Sequence, residues 1–213
     1  MGRTRERSSE ASSERLVRRA ERRAGLLAAA IDVVRRDGAG VSMEAMAAAA
    51  GVTKPILYRH FGDRDGLIGA MAGQFAQDLT DRLTEAFGAS AEVEPRERLR
   101  AGIDAYVSFI ASDTELYRLL VQQDGRLGGE ATTAMADEVA RRVAVILGEA
   151  LADLGRDSGP AEAWAYGIVG MIHMAGDWWV ERQTMTRTRL VDELTNLLWS
   201  GLEGAREVDP PPR

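Results

Sequence analysis

The sequence predicts an all-α fold in which a small three-helix head precedes a larger helical body. Apolar residues recur at intervals of three and four positions through the long segments, which is the period of an amphipathic helix. No segment alternates apolar and polar residues with a period of two, so no β-sheet is expected. Breaks that contain glycine or proline separate the periodic segments at lengths typical of single helices.

The composition indicates a globular protein and argues against several functional classes. Hydrophobic residues make up 45% of the 213 positions, which is enough for a sizeable core. The chain has no cysteine and two histidines, His60 and His173, so a disulfide and a zinc site lack ligands, and no Ser/His/Asp arrangement can be recognised. We therefore expect no metal, no cofactor and no enzymatic activity.

Two features of the chain bear on its location. The amino terminus is rich in arginine and lacks the apolar run of a signal peptide. The longest apolar stretch, Ala163–Gly176, is shorter than the ~20 residues that a membrane-spanning helix needs. These features predict a cytoplasmic protein with no membrane partner.

Charge is distributed unevenly along the chain. The net charge is −6, yet residues 1–67 hold 13 basic and 9 acidic residues, a net charge of +4. Residues 68–213 hold 14 basic and 24 acidic residues, a net charge of −10. A basic head can approach phosphates, whereas an acidic body opposes docking in the wrong orientation.

The first segments of the chain predict an arm and a helix. Residues 1–18 are polar and charged without apolar periodicity, and they predict a disordered basic arm. Two interpretations of its arginines stay open, a solvated tail or an arm that follows the minor groove or backbone of DNA. Arg19–Arg36 predicts the first helix, which ends at the glycines of Asp37–Gly40.

Residues 41–67 predict two short helices joined by a tight turn, followed by the start of a third helix. Ser42 is a favourable N-cap with Glu44 in the first turn, and Gly51 can end this helix in a left-handed conformation. Thr53 caps the second helix, which has Pro55 in its first turn. A helix, a turn with glycine and a second helix form the helix-turn-helix motif, whose second helix enters the major groove of DNA.

The predicted head spans residues 19–67 and places cationic, aromatic and hydroxyl side chains on its outer side. Side chains of these types contact phosphates and base edges. We expect Lys54 and Arg59 to reach base edges, and Tyr58 and Arg64 to hold the DNA backbone. The predicted DNA-binding residues are Ser42, Thr53, Lys54, Pro55, Tyr58, Arg59, His60 and Arg64.

The segment GVTKPILYRHFGDRDGLI, residues 51–68, resembles the DNA-binding signature of the tetracycline-repressor (TetR) family. The shared pattern is Gly-Val, a capping Thr, Leu-Tyr-x-His-Phe, a short turn, a cation, and an acidic and apolar helix start. Arg64 stands where the family usually has lysine, and Glu44 is acidic on a helix that often carries polar or basic groups toward DNA. The resemblance implies a DNA-binding head and a dimeric body that encloses a pocket for a small molecule.

The remaining sequence predicts a long helix that leaves the head and five more helices. We expect the long helix to transmit movement from the body to the head. The predicted helices are Asp63–Phe87, Pro95–Ala111, Thr114–Gln122, Glu130–Leu154, Ala161–Gln183 and Leu190–Ala205. The predicted body spans residues 68–206, and the acidic and proline-rich residues 207–213 predict a disordered tail.

The last two predicted helices each carry an apolar seam. In the first of them the seam is Trp164, Ile168, Met171, Ala175 and Trp178, at steps of four and three. In the second it is Leu190, Leu194, Leu197, Leu198, Gly201 and Leu202. Together with the resemblance, these seams predict a homodimer formed by the last two helices, and core packing within one monomer is the alternative.

The pocket that the resemblance implies would be lined by aromatic residues, methionines and a histidine of the body. Such side chains favour a small apolar or aromatic effector. The predicted ligand-binding residues are Tyr106, Phe109, Tyr117, Met135, Met171, His173, Met174 and Trp178.

The resulting prediction is a homodimeric transcriptional repressor that a small-molecule effector releases from a palindromic operator in double-stranded DNA. In fold terms, it is an all-α protein with a three-helix helix-turn-helix DNA-binding head and a helical effector-binding and dimerisation body. An activator without effector-controlled repression is one alternative. A helical small-molecule-binding protein is the other, although it leaves the cluster from Lys54 to Arg64 unexplained.

Overall fold

The computed structural model describes residues 2–88, 93–123, 130–153 and 155–204, without the side chains of residues 2–12, 87–88, 122–123, 130–132, 134–135 and 202–204. All regular structure in these ranges is helical, which confirms the predicted all-α fold. The helices are α1 Gly2–Asp37, α2 Met43–Ala49, α3 Lys54–Phe61, α4 Arg64–Gly88, α5 Pro95–Ser112, α6 Thr114–Gln123, α7 Glu130–Asp153, α8 Ala161–Arg182 and α9 Arg187–Gly204.

The first helix is longer than predicted. The structure continues α1 through residues 2–18, where the sequence predicted a disordered arm. Arginine, glutamate and alanine favour helices, and Arg18 pairs with Glu14 one turn earlier, with 3.2 Å between Nη2 and Oε2. Residues 13–25 are all exposed, so this part of α1 has no apolar face that periodicity could detect. The predicted tail at 207–213 lies outside the described residues.

The chain divides into two compact units. The amino-terminal unit holds the residues up to Gly73 together with Glu115–Gln123, and the carboxy-terminal unit holds Gln74–Thr114 and the described residues after position 129. The predicted domains, 19–67 and 68–206, instead ended the head at residue 67 and assigned α6 to the body. Glu115 of α6 explains the difference, because its Oε2 accepts a hydrogen bond from the backbone N–H of Ala39, at 3.3 Å.

The amino-terminal unit has an apolar core that leaves one side of α3 exposed. From α3, Leu57 and Phe61 are buried, whereas Thr53, Pro55 and Arg59 are exposed. The other large buried side chains of this unit are Leu26, Leu27, Ile31, Val33, Val34, Val41, Met43, Met46, Leu67, Ile68, Met71, Leu116, Tyr117, Leu119 and Leu120. Helix α1 packs against α2, and α2 packs against α3, so α1 supports the helix-turn-helix arrangement of α2 and α3.

Helix α5 is central to the carboxy-terminal unit. A Cβ atom at Gly176 of α8 would lie 2.9 Å from Tyr106 and Ile110 of α5, so glycine at this position lets the two helices approach closely. Against α9, α5 forms a polar row of three side-chain pairs. They are Arg96 with Asn196 at 2.5 Å, Arg100 with Asp192 at 2.9 Å, and Asp104 with Arg187 at 2.7 Å.

The turn between α3 and α4 contains a second close approach. The Asp63 carboxylate accepts a hydrogen bond from the backbone N–H of Gly66 at 2.8 Å and so caps α4. A Cβ atom at Gly66 would lie 2.0 Å from the carbonyl oxygen of Phe61. Glycine is therefore required here if α3 is to end where it does.

Replacing Gly66 with alanine should destabilise the protein by about 1–3 kcal/mol, because the added methyl group forces α3 and α4 apart. Gly69→Ala is the matched control. It lies on the same helix with nothing within 4 Å of its Cβ position, and it should leave stability unchanged or raise it by up to about 1 kcal/mol. Urea unfolding of both variants measures the difference, and equal stabilities would show that the turn tolerates the methyl group.

Candidate nucleic-acid interface and cavity

The turn between α2 and α3 sets the direction in which α3 leaves α2. Gly51 adopts φ +66°, the left-handed conformation that the sequence predicted. The N–H of Gly51 donates to the carbonyl of Ala48 and the N–H of Val52 to that of Ala47, both at 3.0 Å. This pair of bonds is a Schellman motif, which satisfies the last carbonyls of α2. Thr53 then caps α3 without using its hydroxyl in a cap hydrogen bond, which leaves that hydroxyl available to another group.

None of the eight predicted DNA-binding residues is buried. Ser42 caps α2, since its hydroxyl accepts a hydrogen bond from the N–H of Ala45 at 3.2 Å. Arg64 opens α4, and its Nη1 lies 3.5 Å from the carbonyl oxygen of Val41. The structure therefore brings the ends of three helices, α2, α3 and α4, to one region of the amino-terminal unit.

Lys54 and Glu44 form an ion pair that joins the first turns of α3 and α2. The distance between Lys54 Nζ and Glu44 Oε1 is 2.6 Å. The ammonium also lies 5.6 Å from the centroid of the Tyr58 ring, within range of a cation–π interaction. The hydrogen bond from Lys54 lowers the pKa of Glu44, and the same bond raises the pKa of Lys54, so both groups are charged at neutral pH.

Arginines of α1 surround the carboxyl end of α3. The Arg23 guanidinium lies 4.6 Å from the centroid of the Phe61 ring, which anchors this part of α1 to α3. Burial is the main cause that lowers the pKa of His60, and the positive charges of Arg59, Arg22, Arg19 and Arg23 lower it further. His60 is therefore neutral at pH 7 and lies within a cluster of cations.

This cluster extends the interface beyond the residues that were predicted. The sequence predicted a disordered arm for the arginines before residue 19, whereas the structure has them on α1. Arg15, Arg19 and Arg22 are spaced by four and three positions, so an arginine period would have indicated a basic helix face. The sequence predicted Glu44 in the first turn of α2 and marked it as a departure from the family pattern, but its partner Lys54 could not be identified across the turn.

The carboxy-terminal unit contains an apolar cavity of about 200 Å³. Helices α4, α5, α7, α8 and α9 contribute to its wall. The lining residues are Leu79, Leu83, Pro95, Arg98, Leu99, Gly102, Ile103, Tyr106, Ala136, Val139, Val143, Ile146, Leu147, Ala150, Ile168, Val169, Ile172, His173 and Trp199. Such a wall suits an apolar molecule with few polar groups.

Two polar parts of the cavity wall include residues of α5, one at Tyr106 and one at Arg98. The hydroxyl of Tyr106 is 3.0 Å from Nδ1 of His173, and Nε2 of the same histidine is 3.8 Å from the Asp177 carboxylate. Arg98 lies eight residues before Tyr106, which is about 12 Å along a helix. Among the described residues, the Arg98 side chain has no ion-pair or hydrogen-bond partner.

The cavity includes two of the eight predicted ligand-binding residues, Tyr106 and His173. Phe109 is buried elsewhere, with its ring 4.5 Å from that of Phe75. Tyr117 belongs to the amino-terminal unit, Met171 does not line the cavity, and the side chain of Met135 lies outside the described residues. Met174 and Trp178 are 49% and 43% exposed, because α8 turns them away from the core.

Helices α8 and α9 expose apolar surface, but the exposed stripe of α8 differs from the predicted seam. Ile168 of that seam is buried and Met171 is half-buried. The exposed stripe is rotated and consists of Ala163, Gly167, Gly170, Met174 and Trp178. On α9, Leu197 is 63% exposed, and a Cβ atom at Gly201 would meet nothing within 4 Å.

The described residues contain no group of three or more His, Asp or Glu side chains placed to hold a metal ion. No helix in the described part of the chain is long and apolar enough to cross a membrane.

Comparison with known proteins covers both units. Residues 26–71 match the family described as bacterial regulatory proteins of the tetR family, and residues 82–213 match the tetracyclin repressor-like C-terminal domain. An uncharacterised HTH-type transcriptional regulator of Mycobacterium tuberculosis is 34% identical over 189 residues, which are 88% of this chain and 80% of the relative.

Two further matches agree with these. The HTH-type transcriptional activator FasR of Mycolicibacterium smegmatis is 31% identical over 191 residues, covering 86% of this chain and 84% of the relative. A crystal structure of a tetR-family regulator from Streptomyces coelicolor superposes with a TM-score of 0.66 at 24% identity, over 88% of this chain and 84% of that one. The chain therefore belongs to the TetR family of transcriptional regulators, which bind DNA through a helix-turn-helix head and are not enzymes.

Proposed function

We propose that this protein is a homodimeric repressor that binds a palindromic operator and is released from it by a small molecule in the apolar cavity. The observation that carries the proposal is the outer side of α3, where Thr53 and Arg59 are exposed and Lys54 and Tyr58 are half-buried. A regulator of this kind works where the bacterial chromosome is, so we place it in the cytoplasm.

The contacts to DNA divide between bases and phosphates. Arg59 is exposed on α3, and an arginine in the major groove can bind the O6 and N7 atoms of guanine. Thr53 and Arg64 lie at the first ends of α3 and α4, and Tyr58 lies one turn into α3, where all three can hold phosphates. The cations Arg19 and Arg22 on α1 extend the positive surface along the DNA backbone.

Selection from a random DNA pool should yield a palindromic site, and log K for that site should fall with log salt by roughly 0.9 per phosphate contacted. Arg64→Ala should reduce this slope by about one and weaken binding to all sequences alike, whereas Arg59→Ala should change the preferred sequence. Arg141→Ala on α7 is the control and should change neither. A flat salt dependence, or the same uniform loss for Arg59→Ala and Arg64→Ala, would contradict this division of contacts.

Activation is the second candidate, because the relative FasR is an activator. The DNA contacts are the same in both cases, and the position of the operator relative to the promoter decides the outcome. Transcription in vitro from a promoter that carries the selected operator separates the two. Less transcript on addition of the protein supports repression, and more supports activation.

The dimer would form through the exposed stripes of α8 and α9. Met174, Trp178 and Leu197 are large apolar side chains left in solvent, and burying them between two copies removes apolar surface from water. Gly170 and Gly201 have open space beyond their Cα atoms, so a second backbone can approach there. Two heads joined in this way can read the two halves of a palindrome.

Met174→Glu should dissociate the dimer, because each copy would place a carboxylate opposite its counterpart in an apolar contact. Operator affinity should then fall although no DNA-facing residue has changed. Val145→Glu, at another exposed apolar position on α7, is the control and should stay dimeric. Sedimentation velocity measures both. A dimeric, DNA-binding Met174→Glu protein would place the interface elsewhere.

The effector we propose is small and largely apolar, and it carries one acidic group. The acidic group would pair with Arg98, and the apolar part would extend along α5 toward Tyr106 and His173. A cation with no partner among the described residues, set in an apolar wall, is suited to such a ligand.

Anilinonaphthalene sulfonate, which combines an aromatic body with an anionic group, should bind in the cavity and weaken operator binding. Arg98→Ala should weaken its binding about tenfold, the effect of losing one charge-assisted hydrogen bond. Arg96→Ala is the control, because Arg96 lies on the same helix but bonds to Asn196 and does not line the cavity. Fluorescence titration measures the affinities, and equal losses in the two variants would refute the role of Arg98.

A further inference from the structure

We infer that Glu44 is an internal counterion for Lys54 that makes DNA binding more selective. In the free protein the carboxylate neutralises the cation at the start of α3. Lys54 then exchanges Glu44 for DNA only where a base edge offers acceptors that replace the carboxylate. Glu44 would thus be a positioning and specificity-determining residue. The inference rests on the proposed contact of α3 with DNA.

The geometry shows that Lys54 is held rather than free. Its ammonium lies 2.6 Å from Glu44 Oε1 on one side and 5.6 Å from the Tyr58 ring centroid on another. Glu44 is itself placed by the capped first turn of α2, directly after Ser42. The cation is thereby directed along the surface of the head between two helices, instead of extending freely into solvent.

The pair is not needed to hold α2 and α3 together. Its side chains are 39% and 66% exposed, and ion pairs this exposed contribute little to stability. Hydrogen bonds already fix the Gly51 turn to the end of α2, and Met46 of α2 and Leu57 of α3 are fully buried. An acidic side chain beside the DNA-facing helix would also repel phosphates. A contribution to specificity accounts for its presence better than a contribution to stability.

Lys54 has a carboxylate partner, and this distinguishes it from Arg59 and Arg23. Arg59, on the same helix, has no ion-pair partner among the described residues, and Arg23 stacks on Phe61. Lys54 is the only lysine of the whole chain. A compact ammonium exchanges readily between a carboxylate and a base acceptor, whereas a guanidinium favours fixed two-point contacts. The arginines of α1 can therefore supply affinity for any DNA, whereas Arg59 and the neutralised Lys54 respond to sequence.

The test compares the full-length protein with three variants, Glu44→Gln, Glu44→Gln/Lys54→Gln and Asp37→Asn. Asp37→Asn is the control for net charge, because it removes a carboxylate that is paired with Arg36 at 2.7 Å, away from α3. Affinities for the selected operator and for a scrambled duplex of equal length are measured over a range of salt concentrations.

Glu44→Gln should bind the scrambled duplex several-fold more tightly, with a salt dependence steeper by about 0.9, because the released Lys54 neutralises one more phosphate. Its preference for the operator should fall about tenfold. The double variant replaces one neutral pair by another, so it should keep the wild-type affinity for scrambled DNA and lose affinity for the operator. This variant also tests the inference if Glu44→Gln is poorly folded.

The outcomes separate this inference from the proposed function. If the wild-type protein selects no sequence from the random pool, both the proposed function and the counterion role are wrong. If the wild-type protein selects an operator but Glu44→Gln changes binding no more than Asp37→Asn does, only the counterion role is overturned. If Glu44→Gln instead loses discrimination at a cytosine of the operator, Glu44 reads that base directly and the counterion role is again wrong.

Discussion

An eight-residue helix is too short to persist by itself in water, and α3 therefore depends on the turns at its two ends. At the first turn, the left-handed Gly51 satisfies the carbonyls of α2 and sets the direction of α3. At the second, Gly66 leaves room for the carbonyl of Phe61. Because these turns hold the helix, only Leu57 and Phe61 have to be buried, and the remaining side chains can face DNA.

In the carboxy-terminal unit, α5 likewise depends on a few specific contacts. One part of α5 meets Gly176 of α8, another forms the polar row with α9, and a third lines the cavity. Tyr106 takes part in two of these, since it touches the Gly176 position and bonds to His173 in the cavity wall. A ligand that disturbs this bond therefore acts directly on the contact between α5 and α8.

The sequence predicted the fold well where helix ends carry capping residues and glycines, as at Ser42 and Gly51. It failed at residues 2–18, because a helix with no apolar face has no apolar period. On α8, apolar residues occur nearly all round the helix, so periodicity could not show that Trp178 faces outward. The ion pair between Glu44 and Lys54 depends on the angle between two helices, which local sequence rules do not supply.

The polar row between α5 and α9 has a consequence for how these helices can move. Sliding α9 by one turn, about 5.4 Å, would in one direction bring Asp192 beside Asp104, two carboxylates. In the other direction Arg100 would face Thr188 and lose its carboxylate partner. Both displaced registers keep fewer ion pairs than the observed one, so the row favours the observed register of α9. Tilting or separating α5 and α9 does not need this register to change, whereas ratcheting one helix past the other does.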